Sequence, residues 1–153
     1  MTYPLARLTF KQRSLLAREE AIVAVVCRLL ADKGFEAMTV DEVAAQVGIA
    51  KASLYKHFSS KEELGVAAMT QLMHRAQAFV AALSAAAEPL EKLRSVLRWA
   101  LQLKLAGELP GLPGPSSSLR KALLTQRDYM EGLQDLSNRL SGWIEAAQAN
   151  AGL

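Results

Sequence analysis

Apolar positions recur every three to four residues along most of the chain, a spacing that predicts helix nearly throughout. The pattern is clearest at 39–58, TVDEVAAQVGIAKASLYKHF. Val40, Val43, Ala44 and Val47 stand at i, i+3, i+4 and i+7 and give one helix an apolar face. Thr39 precedes it as an N-cap, and Glu42, three residues on, is expected to complete a capping box. Gly48 ends it, because reversing the chain after a helix calls for left-handed backbone. A short second helix follows, with Leu54 and Phe58 inward and Lys51, Ser53, Lys56 and His57 outward. The small residues before the turn and Leu54 after it let the two helices cross closely, which is the helix-turn-helix pattern.

The other elements follow from the same reading. A first helix is expected from about Ser14 to Lys33, with Ile22, Val25, Val26, Leu29 and Leu30 as its core face. Gly34 stops it and Phe35 folds back onto the core. After the Ser59-Ser60 break, Ser60 and Glu63 form a second capping box, opening a helix from Lys61 to about Ala86. Pro89 opens the next, whose stripe of Leu90, Leu93, Leu97 and Ala100 is widened by Val96, Trp99 and Leu103. A face so broad is expected to lie between other helices. The segment ELPGLPGPSSS, 108–118, cannot continue a helix and does not follow the phosphate-binding loop pattern. It is either a connector or a mobile wall of a ligand pocket. A last helix is expected from Ser118 or Leu119 to about Ala149, with Leu133, Leu136, Leu140, Trp143 and Ala147 on one side. That side is either internal core or a contact with a second subunit. The fold class is all-α.

Charge sharpens the picture only locally. The net charge of the 153 residues is +3, too small to point to nucleic acid by itself. Residues 1–13 form a basic N-terminal arm, which either reaches phosphates or the minor groove or has no role. From Val43 to Lys61 there is no carboxylate, while Lys51, Lys56, His57 and Lys61 all fall there. An acid-free, cation-bearing helix at a turn suits phosphate attraction and groove entry. The single cysteine, Cys27, excludes an intramolecular disulfide and reads as a small buried apolar residue. Neither a membrane-spanning run nor a signal peptide is recognisable, so a cytoplasmic location is expected.

From Ile22 through Leu64, over ADKGFEAMTV, DEVAAQVGIAKASLYKHF and SSKEEL, the sequence resembles the tetracycline-repressor (TetR) type of bacterial transcriptional regulators. The resemblance implies a DNA-binding head at 14–64, with its helix-turn-helix at 39–58, and a helical ligand-binding and dimerisation body at 65–153. In it Ser53, Tyr55, Lys56 and His57 match positions that touch DNA backbone or bases, and Thr39 and Lys61 match phosphate contacts. Lys51 and Ala52 are the expected base readers: lysine donates to guanine, and a methyl group meets thymine's. Tyr55 is either core or a phosphate contact. Two departures stand out: Ala50 replaces the serine or threonine frequent at the start of the recognition helix, and the chain ends at Leu153, short of the two long helices that commonly form the family's dimer interface.

Function follows as an expectation: a DNA-binding regulator, a repressor released from an inverted-repeat operator by a small-molecule effector, acting as a homodimer. Candidate pocket residues from the body helices are Met73, His74, Phe79, Trp99, Leu103 and Tyr129. The other reading is a shortened small-molecule-binding or protein-interaction module without operator binding. An enzyme is not expected. Neither His57 nor His74 has a histidine or carboxylate at i+3 or i+4, there is no GxSxG or HExxH, and no catalytic set, metal or cofactor is assigned.

Overall fold

The computed structural model describes residues 7–152, which form eight helices and, among the described residues, no strand. They are α1 (Phe10–Asp32), α2 (Gly34–Ala37), α3 (Val40–Val47), α4 (Lys51–His57), α5 (Lys61–Ala82), α6 (Pro89–Leu105), α7 (Ser118–Leu124) and α8 (Arg127–Asn150). α1 to α4 make the head. α5 runs from the head into a body of α6, α7 and α8, and packs against α1, α7 and α8.

α1 starts four residues before the expected Ser14. Thr9 Oγ1 accepts from Gln12 N at 3.2 Å and Gln12 Oε1 accepts from Thr9 N at 2.9 Å, a reciprocal capping box that reaches out for an extra turn. Lys11 and Arg13, expected in the basic arm ahead of the first helix, are therefore helical; residues 1–6 of that arm lie outside the described residues. Ile22, Val26, Leu29 and Leu30 are buried as expected, joined by Phe35 from α2, Val43 and Ala44 from α3, and Leu54 from α4. Gly48 caps α3 at φ +83°, a conformation that would strain any Cβ-bearing residue.

Both expected capping boxes close differently. Thr39 Oγ1 accepts from Glu42 N at 3.1 Å, but the Glu42 carboxylate leaves Thr39 and pairs with Lys33 at the end of α1. Ser60 Oγ accepts from Glu63 N at 3.1 Å, while Glu63 Oε2 takes the Ser59 N–H at 2.8 Å, one residue beyond the cap. Each serine or threonine cap is worth about 1 kcal/mol.

Three body expectations are corrected. α5 stops at Ala82, with Leu83 extended, instead of near Ala86. The single last helix is two: Thr125 Oγ1 donates to Ala122 O at 2.7 Å, and Gln126 turns extended before α8 begins. A threonine hydroxyl that bonds a carbonyl three residues back competes with continuing the helix. The broad face of α6 is also not sandwiched. Leu103 is buried and Trp99 stacks on Phe79 of α5, ring centroids 5.0 Å apart, but α6 packs chiefly on α8 and leaves Leu90 and Leu97 of the expected stripe 49% and 61% exposed.

Helix crossings are tight at two glycines. A Cβ at Gly65 of α5 would lie 2.7 Å from Leu119 Cδ1 and 3.3 Å from Phe35 Cε2; one at Gly132 of α8 would lie 2.8 Å from Met73 Cγ. Gly142, also on α8, faces open space. Alanine in a helix normally gains about 0.5–1 kcal/mol over glycine, and Gly142→Ala is expected to gain that much in urea unfolding. Gly65→Ala and Gly132→Ala are expected instead to lose about 1–3 kcal/mol through overpacking. Equal stabilisation by all three would show that these crossings are loose.

Candidate nucleic-acid interface

The recognition-type helix α4 is seven residues long, too short to persist alone. It is anchored by Leu54, fully buried, and by Phe58, which packs on the same core. Its N-cap, Ala50, contributes no side-chain hydrogen bond, as its alanine implied. Lys51, Ala52, Tyr55 and Lys56 are exposed, and Ser53 is half-buried. Tyr55, with 43% exposure, is not a core residue. The first turn of α4 carries no acid and its last turn holds Lys56 and His57.

The cations of this surface differ in how they are held. Lys51 Nζ lies 3.2 Å from Asp41 Oδ1, but both side chains are well exposed, and such a pair is weak and easily exchanged for another anion. Lys56 makes no ion pair among the described residues. Lys61 sits 4.5 Å over the Phe35 ring and donates to Glu36 O at 3.4 Å, so its ammonium is steadied beside the start of α5. Thr39 is exposed, and its hydroxyl oxygen already caps α3.

His57 is not on the outer face expected of it. Its side chain is 8% exposed and Nδ1 lies 3.3 Å from Glu19 Oε1 on α1. At the end of a seven-residue helix, the ring is turned back across α1 and ties α4 to it. Glu19 gave no sequence signal, being 38 positions away. The groove beside His57, lined by Lys11, Ser14, Leu15 and Arg18, lies along the first turns of α1 and adds basic residues next to α4.

The six pocket candidates stand in different surroundings. Met73 and Tyr129 belong to the main core, where burial pushes the Tyr129 hydroxyl above the usual phenol range. His74 is on the surface, Nε2 3.0 Å from Asp128 Oδ2. Phe79 and Trp99 pack on each other, and Leu103 is buried on α6. Cys27 is buried, donates weakly to Glu108 O at 3.6 Å, and is raised above the ordinary thiol range by burial, in keeping with a packing role. Among the described residues, no His, Cys, Asp and Glu group is arranged to hold a metal, and no helix is long and apolar enough to cross a membrane.

Comparison with known proteins gives a consistent frame. Residues 22–68 match the family model of bacterial regulatory proteins, tetR family. The chain is 27% identical over 146 residues to the HTH-type transcriptional regulator TcmR of Streptomyces glaucescens, covering 90% of this chain and 63% of that protein. It is 34% identical over 82 residues to the HTH-type transcriptional regulator BetI of Rhizobium meliloti, covering 53% of this chain and 40% of that one. The chain thus spans less than two thirds of the length of these curated relatives. A solved TetR-family transcriptional regulator from Agrobacterium tumefaciens shares the fold, with TM-score 0.68 at 23% identity over 90% of this chain and 74% of that one.

The caps of the head are electrostatic as well as geometric. The Lys33 ammonium holds Glu42 below the usual carboxylate range, and the Ser59 N–H does the same for Glu63. A depressed folded-state pKa contributes stability above the ordinary carboxylate pKa, and that contribution is lost as pH falls through the folded value. The acid limb of the stability curve is therefore expected to flatten in Lys33→Met and in Glu63→Gln. Urea titrations across the acid range measure this; unchanged slopes in both variants would remove the two carboxylates from the acid response.

Proposed function

On the premise that the chain is of the TetR type, its head matching that family's model and its helices that family's fold, we propose that it is a DNA-binding transcriptional regulator. The observation that carries this is α4: a short helix, anchored on one side by Leu54, whose other side is exposed, acid-free and cationic. In the proposal α4 enters the major groove. Lys51 and Ala52 read base edges, Ser53, Tyr55 and Lys56 contact backbone or bases, and Thr39 and Lys61 sit at phosphates. His57 is reassigned to positioning, because its ring is packed against Glu19 and holds the angle of α4 on α1.

The protein acts as a repressor in this reading, in the cytoplasm, without enzymatic activity, and as a homodimer that places two heads on an inverted repeat about one helical turn apart. The exposed leucines of α6 support a second copy, since a lone chain leaves Leu97 and Leu101 in water. A small-molecule effector releases it by favouring one arrangement of head on body.

Selection of bound duplexes from a random-sequence pool tests the reading. Enrichment of an inverted repeat is expected, and recovery of only salt-sensitive, sequence-independent binding would favour a module that does not read an operator. On the enriched duplex, Lys56→Ala is expected to weaken binding across sequences and to reduce the salt slope by about 1. Glu19→Ala and His57→Ala are expected to lower affinity with the salt slope intact, because they act on the seating of α4. A slope that drops equally in the His57 variant would return that residue to the phosphate contacts.

A further inference from the structure

The Pro/Gly segment walls a cavity of about 410 Å³ that includes none of the six pocket candidates. Its lining comes from both parts of the molecule: residues 30–36 of the head, Met69 of α5, Lys104 of α6, and residues 111–114 with Ser117 and Leu119. That volume falls in the range of roughly 300–1,000 Å³ typical of small-molecule sites. We propose that this cavity binds a small amphipathic cation, an ammonium group on an apolar body, and that its occupancy governs how the head is seated on the body.

The charge of the ligand follows from the lining. Four charged residues are present: Asp32, Lys33, Glu36 and Lys104. Lys33 is held by Glu42, which is not part of the wall, so two carboxylates face one remaining ammonium. The same side of the cavity carries the C-terminal end of α1, which is capped by Lys33, so the preference for a cation rests on the carboxylates alone. The opposite requirement, an apolar body, comes from Phe35, Met69, Pro113 and Leu112. Leu112 is 84% exposed although it belongs to the cavity wall, and an apolar group seated beside it would take its side chain out of water.

The connection to the head is physical contact. Leu119 and Phe35 both line the cavity, and both meet α5 at Gly65, where a methyl group would be 2.7 Å from one and 3.3 Å from the other. Phe35 also carries the Lys61 ammonium over its ring. A ligand against Leu119 and Phe35 therefore acts where α7, the first turns of α5 and the head come together. Binding stands independently; its effect on DNA rests on the function proposed above.

Thermal unfolding of the full chain at fixed pH and ionic strength, titrated separately with hexylamine, hexanoate and 1-hexanol, tests the site. Hexylamine is expected to raise Tm saturably, and hexanoate and hexanol to shift it less at equal concentration. Asp32→Asn is expected to weaken hexylamine binding about tenfold. Leu112→Ser, at an exposed position, is expected to weaken it too while leaving the unliganded Tm unchanged. Equal shifts by all three probes, or an undiminished response in Asp32→Asn, would overturn the proposal. A second arm measures affinity for the selected duplex, which hexylamine is expected to lower in the parent chain but not in Asp32→Asn. If hexylamine binds and DNA affinity does not move, the coupling is refuted and the site stands. If no duplex is bound under any condition, the DNA-binding function fails, and the melting series still decides the site.

Discussion

The absence of a side chain at Gly65 is the constraint on which the arrangement of head and body depends. α5 belongs to both parts, and α1, α7 and α8 all lie against it. At Gly65 the α7 side chain Leu119, 2% exposed, and the ring of Phe35 both close on the bare helix backbone. Packing at interior density leaves no slack for an added methyl group. The backbone approach that glycine permits is thus what lets a body helix touch the head directly, instead of only through the length of α5.

The head uses that fixed platform to hold a helix that has little stability of its own. Seven residues without a side-chain N-cap cannot form a persistent helix in water. Tertiary contacts supply what is missing, through Leu54 and Phe58 beneath α4 and His57 against Glu19. Because these anchors lie toward the core side, the outer face keeps Lys51, Ala52, Tyr55 and Lys56 exposed. Stability and any outward recognition are thereby divided between two faces of the same short helix.

The head was largely legible because its signals are local. Thr39, Ala44, Gly48 and Leu54 act within a few positions of one another, and Ser60 caps the next helix by bonding Glu63 three residues away. What could not be read depends on distant partners. Glu19 and His57 are 38 positions apart, and Lys33 draws Glu42 out of a capping box that its spacing alone would form. In the body, periodicity identified only part of the apolar face of α6, with Leu93, Val96, Trp99 and Leu103 turned inward and Leu90 and Leu97 left exposed, and it did not say what would lie against it. An amphipathic pattern specifies a face that is stabilised by being covered, and the covering element is a tertiary fact. The break between α7 and α8 escaped for a related reason, since Thr125 is tolerable in a helix until its hydroxyl bonds Ala122 O. The pocket candidates were chosen from apolar faces alone, and which of those side chains pack on each other, as Phe79 does on Trp99, depends on how adjacent helices meet.

That outcome bears on where a small molecule can act. A ligand shifts an equilibrium only by the difference in its affinity for the two states. A space enclosed wholly within the body changes little when the head tilts, so its occupant must work through α5 over several turns. A cavity walled by α1 and α2 on one side and by the 111–114 segment on the other changes shape with any movement of head against body. Its occupant contacts the moving parts themselves. The Pro/Gly composition of the segment fits this position: it forbids helix, so the backbone there is free of a fixed helical register where it walls the cavity. The connector and pocket-wall readings of the segment are then compatible, because a stretch that joins α6 to α7 and passes over the head is placed to do both.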